Sequence, residues 1–365
     1  MKPFSVKNFL LLLLVKILKK FSPSKLPLEN GITSRILIVS TTGLGDTLWA
    51  TPIIRSIKNK HPTLCISLLT TPLGKKIFEN NPDISEVYLV TQPYLFSFIS
   101  LWKQLCKKRI DSIYVFHASQ RFILPLLSCL KKDKIIGFSH SHKGWKNVLT
   151  EVISSPIIHE VDSRYLLVQS LSLSKKENKL FYFPQKDEVK KMRDFFLSFP
   201  QKPFSMAWHP GAKDLYKCWP KECFLELGKK VLSTFNCNLF ITGGKGEEKL
   251  NSFLVDNLKG AIPVQQLDIR EMGAFLLNMN LFLTNDTGPM HLSNALGIPT
   301  LALFVPTDPK ICGPYGETKS HVLQKKPTCQ PCLKRKCTDP YCLHQITCDE
   351  VFLSIEKFVK TGSFT

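Results

Sequence analysis

The stretch Arg35-Ile-Leu-Ile-Val-Ser40, running into Thr41-Thr-Gly-Leu-Gly45 and Asp46, decides the fold class. An unbroken aliphatic run, rather than an alternating one, predicts a strand covered on both faces, as in a parallel sheet flanked by helices. The glycines turn the chain, and apolar residues at helical spacing from Asp46 through Ile57 predict a helix. The pattern repeats outward: Cys65-Ile-Ser-Leu-Leu69 with a helix near Gly74 to Asn80, Val87-Tyr-Leu-Val90, and Ser112-Ile-Tyr-Val-Phe116. Strands alternating with helices in this way predict a doubly wound α/β domain.

A second series begins at Phe204-Ser-Met-Ala-Trp-His209, followed by Pro210-Gly211. It continues with a helix over Pro220 to Phe235, the strand Asn238-Leu-Phe-Ile-Thr242 and the turn Gly243-Gly244. Leu281-Phe-Leu-Thr284 leads into Asn285-Asp-Thr-Gly-Pro289, a helix to Leu296, and Thr300-Leu-Ala-Leu-Phe304. Each half thus starts with a buried strand entering a glycine turn. The predicted architecture is two Rossmann-like doubly wound domains facing each other across a cleft, with the carboxyl ends of the strands on its walls, where such sheets bind ligands. The predicted boundaries are 1–30 for a basic apolar segment and linker, 31–185 and 203–345 for the domains, 186–202 for a charged, proline-marked connection with one helix, and 346–365 for a C-terminal helix and tail.

A chain of 365 residues, 44% of them hydrophobic, excludes a disulfide miniprotein, a fibre and a disordered chain. The net charge of +20 points to an anionic partner, and it is uneven: 26 basic against 11 acidic residues up to residue 180, 23 against 18 beyond. No zinc-finger, helix-turn-helix or stacked-aromatic signature accompanies it, so nucleic acid is not expected as a partner. Phe9-Leu-Leu-Leu-Leu-Leu-Val15 lies between Lys2 and Lys7 on one side and Lys16, Lys19 and Lys20 on the other. It is too short to span a bilayer, which takes about 20 apolar residues. Two readings stay open for roughly residues 4–21: an interfacial helix with leucines in the acyl boundary and lysines on acidic headgroups, or an apolar helix packed on its own domain.

Three loops carry the chemistry. Gly43-Leu44-Gly45-Asp46 puts a flexible turn before a helix start, where Asp46 is either a helix cap or a general base. Leu48 occupies the place of the third small residue of a dinucleotide fingerprint, which disfavours a NAD-dependent oxidoreductase. His209-Pro-Gly211 through Lys217-Cys-Trp-Pro220 sets Lys213 and Lys217 just ahead of a helix; they are solvent-facing lysines or a phosphate site. In Asn285-Asp286-Thr287-Gly288-Pro289-Met290-His291, a strand ends in small polar residues and enters a helix, so hydroxyl and N–H groups can meet a diphosphate. His291 reads as a core histidine or a site residue, and Glu247, after Gly243-Gly-Lys-Gly246, as an exposed helix-start carboxylate or a ribose contact.

Taken in order, GLGD with the following ATP, HPGAK, KCWP, TGG, NDTGPMHLSNALGIPTLALF, PTDP and GPYG resemble glycosyltransferase family 9, the lipopolysaccharide heptosyltransferases. The likeness runs from Arg35 to about Ile355. It implies a GT-B fold, with an acceptor-binding N-terminal domain and a nucleotide-sugar-binding C-terminal domain, and an inverting transfer that requires no cofactor or metal. Asp46 would be the base, with Gly43 and Gly45 in the acceptor-side loop. Lys217, Asp286, Thr287, Gly288, Pro289 and His291 would hold the donor, and Glu247 its ribose. The implied reaction moves a heptose from ADP-heptose to the Kdo or heptose inner core of a lipid-A-linked acceptor, on the cytoplasmic face of the inner membrane, by a peripheral enzyme on an anionic surface. Another nucleotide-activated sugar, or a non-catalytic sugar-nucleotide-binding relative, is the alternative. The chain departs from the family pattern at Gly211-Ala212, where a hydroxyl residue is common, and at Cys218, which replaces a basic or polar residue. Cys329, Cys332, Cys337 and Cys342 have a spacing that suits either a structural zinc site or free thiols.

Overall fold

The computed structural model describes residues 6–21, 34–140, 145–329, 332, 334–337 and 341–364. The chain divides into two compact units, Met1–Glu177 and Asn178–Thr365. The first holds β1 (Arg35–Thr41), β2 (Cys65–Thr70), β3 (Glu86–Leu89), β4 (Ile110–Ala118), β5 (Lys132–Phe138) and β6 (Glu151–Ile153). They form one parallel sheet of order β3-β2-β1-β4-β5-β6. The second unit holds β7 (Phe204–His209), β8 (Cys237–Gly243), β9 (Ala261–Gln265), β10 (Leu281–Asn285), β11 (Thr300–Phe304) and β12 (Ser320–Gln324). Its sheet, also parallel, has the order β12-β11-β10-β7-β8-β9. Each unit therefore begins in the middle of its sheet, winds to one edge and returns to build the other half. The winding direction reverses between β1 and β4 and between β7 and β10, the switch points where such sheets open to a ligand.

The aliphatic run behaves as its composition requires. Every residue of β1 is buried, and Leu37, Ile38 and Val39 are fully so. Each such side chain contributes about 1.5–3 kcal/mol relative to exposure. The helix expected over Asp46 to Ile57 is two helices, Leu44–Leu48 and Thr51–Lys60, interrupted at Trp49-Ala50. Pro52 explains the break: in a first helical turn its missing N–H costs nothing, whereas a continuous helix would lose a hydrogen bond there.

The division between the units falls at Glu177, ahead of the expected 185. The helix Lys186–Leu197, read as part of a connection, packs on helix Ile269–Leu276 within the second unit. Arg270, 4% exposed, needs a partner there, and Glu188 supplies it through two hydrogen bonds of 2.7 Å. Helix Cys348–Thr361 is likewise part of this unit, with Val351, Ile355 and Phe358 in its core.

The N-terminal helix spans Val6–Lys20. Val15 and Leu18 are buried in the first unit, with Leu11 and Leu14 partly so, and the Cys129 thiol donates to the Val15 carbonyl at 3.9 Å. The leucine-rich side is thus used largely on its own domain. Leu13, Ile17 and Phe21, four residues apart, face outward at 48%, 44% and 70% exposure. Among the described residues no helix is long and apolar enough to cross a membrane.

Candidate active site

In the first unit the chain leaves β1 at the switch point and enters the short helix Leu44–Leu48, with Asp46 in its first turn. Thr41 fixes the neighbouring strand end by accepting from the Ser119 N–H at 3.1 Å. Asp46 is 34% exposed, so its carboxylate is reachable. The Thr42 hydroxyl donates to Asp46 Oδ2 at 3.3 Å, and Arg164 Nη2 stands 3.5 Å from Oδ1.

Arg164 is the residue that motif reading missed. It lies in helix Glu160–Leu167, is 1% exposed, stacks over the Trp49 ring at 5.1 Å, and has Glu160 Oε2 at 3.8 Å. Its Nε and Nη1 are buried without a hydrogen-bond partner among the described residues. Burial pulls its pKa down and the Asp46 and Glu160 charges pull it back up, so the guanidinium depends on those carboxylates. The available signal was its position: Val161, Arg164, Tyr165 and Val168 share one helical face, and the other three are core residues.

In the second unit the ends of four neighbouring strands converge. At the end of β10, Asn285 is fully buried and ties the loops together: Oδ1 accepts from the Trp219 N–H at 3.0 Å, and Nδ2 donates to the Pro210 and Gly211 carbonyls at 2.8 and 3.3 Å. Asp286 Oδ2 receives Lys217 Nζ at 2.5 Å and the Thr307 hydroxyl at 2.6 Å. Asp286 is 7% exposed and Lys217 20%, which leaves part of the ammonium open. Burial would lower the Lys217 pKa, but the Asp286 charge and hydrogen bond outweigh it and raise the pKa, so the lysine stays charged.

Thr287 occupies the cap position of helix Gly288–Ala295 without capping it; its hydroxyl pairs with that of Thr284 at 3.1 Å. Pro289 lies in the first turn, and His291, 3% exposed, is buried further along. After β8, Glu247 Oε2 accepts from the Gly244 N–H at 2.6 Å and stands 3.5 Å from His209 Nε2. Glu247 stands at the start of helix Glu248–Asn257, as one reading has it, but at 17% exposure it is largely covered. A Cβ on Gly211 would come within 2.1 Å of Glu247 Oε1, which gives the departure at that position a steric cause: a hydroxyl residue would displace the carboxylate.

Trp219 anchors the lysine loop. It is 1% exposed, meets the Phe224 ring edge-on at 4.9 Å, and donates from its indole to the Ile346 carbonyl at 2.9 Å. Trp219→Ala should cost about 3–5 kcal/mol in urea unfolding, and Trp219→Phe, which removes the indole bond, about 1–2 kcal/mol. The preceding Cys218 is no nucleophile at neutral pH, because burial and the nearby Glu247 and Asp214 charges push its thiol up to about 11.

His209 ends β7 with Nδ1 3.3 Å from the Thr242 hydroxyl. Burial holds it below the ordinary 6.5, against the opposing pull of Glu247. The unfolded chain therefore binds a proton that the folded one resists, and this part of the stability is intact above about pH 6.5 and lost as pH falls below it. His209→Gln should shrink the difference between urea midpoints at pH 7.5 and 5.5; an unchanged difference would show that His209 does not titrate in this way.

Gly43 holds the N-cap position of helix Leu44–Leu48, whereas Gly45, expected in the turn, lies within the first turn of that helix. Cys329, Cys332, Cys337 and Cys342 form no disulfide, and among the described residues no group of three or more metal-ligating side chains is assembled.

The profile of glycosyltransferase family 9 (heptosyltransferase) matches residues 98–342. Lipopolysaccharide heptosyltransferase 1 of Pseudomonas aeruginosa is 32% identical over 139 residues, covering 38% of this chain and 39% of that one. Lipooligosaccharide heptosyltransferase 2 of Campylobacter jejuni is 25% identical over 333 residues, covering 88% of this chain and 98% of that one. The solved structure of Escherichia coli ADP-heptose lps heptosyltransferase II superposes with a TM-score of 0.72 at 15% identity, covering 90% of this chain and 99% of that one. Its fold is GT-B, as the duplicated winding order already indicated. With the family matched over two thirds of the chain and the winding shared with that enzyme, the protein belongs to glycosyltransferase family 9, the heptosyltransferases.

Proposed function

We propose that this glycosyltransferase moves a heptose from ADP-heptose to the Kdo or heptose inner core of a lipid-A-linked acceptor, with inversion and without a metal ion. The observation that carries this reading is the Asp286–Lys217 pair beside Thr287 and Gly288 at the switch point of the second sheet. A partly exposed ammonium next to backbone N–H groups at a helix start suits a diphosphate. Asp46 takes the proton of the acceptor hydroxyl as its oxygen bonds the anomeric carbon; the bond from that carbon to the diphosphate breaks on the opposite side, and the charge left on ADP is met by Lys217. Glu247 accepts from the ribose diol. Incubation with ADP-heptose and a heptose-free Kdo–lipid A acceptor should add one heptose by mass spectrometry and be insensitive to EDTA. Product from a different nucleotide sugar alone would redirect the donor assignment.

The exposed Leu13, Ile17 and Phe21, with Lys16, Lys19 and Lys20 on the same helix, support a peripheral position on the cytoplasmic face of the inner membrane. Ile17→Ser/Phe21→Ser should reduce sedimentation with vesicles containing 30% phosphatidylglycerol at least fivefold, whereas equal sedimentation would refute this contact.

A further inference from the structure

Beneath the N-terminal helix lies a cavity of about 500 Å³, within the range that holds small ligands. Leu12 and Val15 from that helix, with Trp145 and Val148, make an apolar wall, and Lys19 and Lys132 supply two ammoniums. The remaining lining residues are Ser128, Asn147 and Thr150, so no carboxylate is among them. Lys132 is half-buried and donates to the Ser128 carbonyl at 3.1 Å. Burial, and then the Lys19 charge, push its pKa below the ordinary lysine value. Two like charges brought together over an apolar surface, with no carboxylate among the described lining residues, are unfavourable until an anion joins them.

We propose that this cavity binds the phosphate head of an anionic phospholipid, with Lys19 and Lys132 on the phosphate and the apolar wall on the glycerol and first acyl carbons. Charge complementarity selects a phosphate ester. The apolar wall of Leu12, Val15, Trp145 and Val148 selects a lipid over free phosphate. The proposal takes its lipid source from the membrane position proposed above and makes that contact selective for headgroup.

Trp145 provides the readout. Soluble dihexanoyl phosphatidylglycerol should change tryptophan emission saturably in the wild type and not in Trp145→Phe. Dihexanoyl phosphatidylcholine and inorganic phosphate should each bind at least tenfold more weakly. Lys19→Gln/Lys132→Gln should weaken binding of the anionic lipid at least tenfold, and Lys19→Arg/Lys132→Arg, which keeps both charges, should retain it; this second variant guards against a folding defect. Equal binding of the two lipids, phosphate binding as tightly as the anionic lipid, or full binding by the glutamine variant would each overturn the proposal. Vesicle sedimentation, scored separately, reports the membrane position: sedimentation without a Trp145 response defeats the cavity alone, and a Trp145 response without sedimentation defeats the membrane position alone.

Discussion

Asp46→Asn should lower kcat about 10³-fold or more, the upper part of the range for removing a general base, while ADP-heptose affinity stays within about twofold. The amide keeps the shape of the carboxylate and its contact with the Thr42 hydroxyl, so the loss isolates proton removal. The substitution also has a structural consequence. Arg164 would keep Glu160 but lose its nearer carboxylate, with two of its nitrogens already lacking partners among the described residues. A fully buried pair broken from one side costs about 3–5 kcal/mol; with Asp46 one-third exposed, about 1–2 kcal/mol is expected in urea unfolding. Arg164→Met added to Asp46→Asn should recover most of that stability and none of the activity. Normal turnover by Asp46→Asn would remove the base from the proposed chemistry.

Lys217→Met should lower kcat about 10²–10³-fold, the cost of deleting one preorganised partner of the developing charge. The donor should also bind more weakly, in contrast to Asp46→Asn, and calorimetric titration separates the two. Asp286 would be left 7% exposed with the Thr307 hydroxyl and no ammonium, so stability should fall as well. Asp286→Asn in the same chain should restore stability without restoring transfer. If Lys217→Met kept full activity, the lysine would serve only as the counter-ion of a buried carboxylate.

The central strands were legible in the sequence because burial on both faces writes an unbroken apolar run, as in β1, β7, β8, β10 and β11. Most of the strands that were not read lie at sheet edges, where that demand relaxes. β6 is three residues long, β12 is the polar Ser320-His-Val-Leu-Gln324, and β9 carries Pro263, which an edge strand tolerates because one row of N–H groups has no partner to lose. β5 is not an edge, but it opens with Lys132-Asp-Lys134, and only its last four residues are buried. At the candidate site, Lys217, Asp286 and Glu247 were named from loops that follow strands, a position set by topology. That Asp286 would pair with Lys217 and Thr307 was not readable, since those residues lie 69 and 21 positions away. Arg164 escaped notice because a helix carries no loop motif.

The anomeric configuration of the product, read by NMR after a single turnover with ADP-heptose and a Kdo–lipid A acceptor, tests the proposed role of Asp46. Asp46 acting as base while ADP departs from the opposite face should give a heptoside of configuration opposite to that of the donor. A product that retains the donor configuration, or none at all under conditions where ADP-heptose is bound, would contradict it.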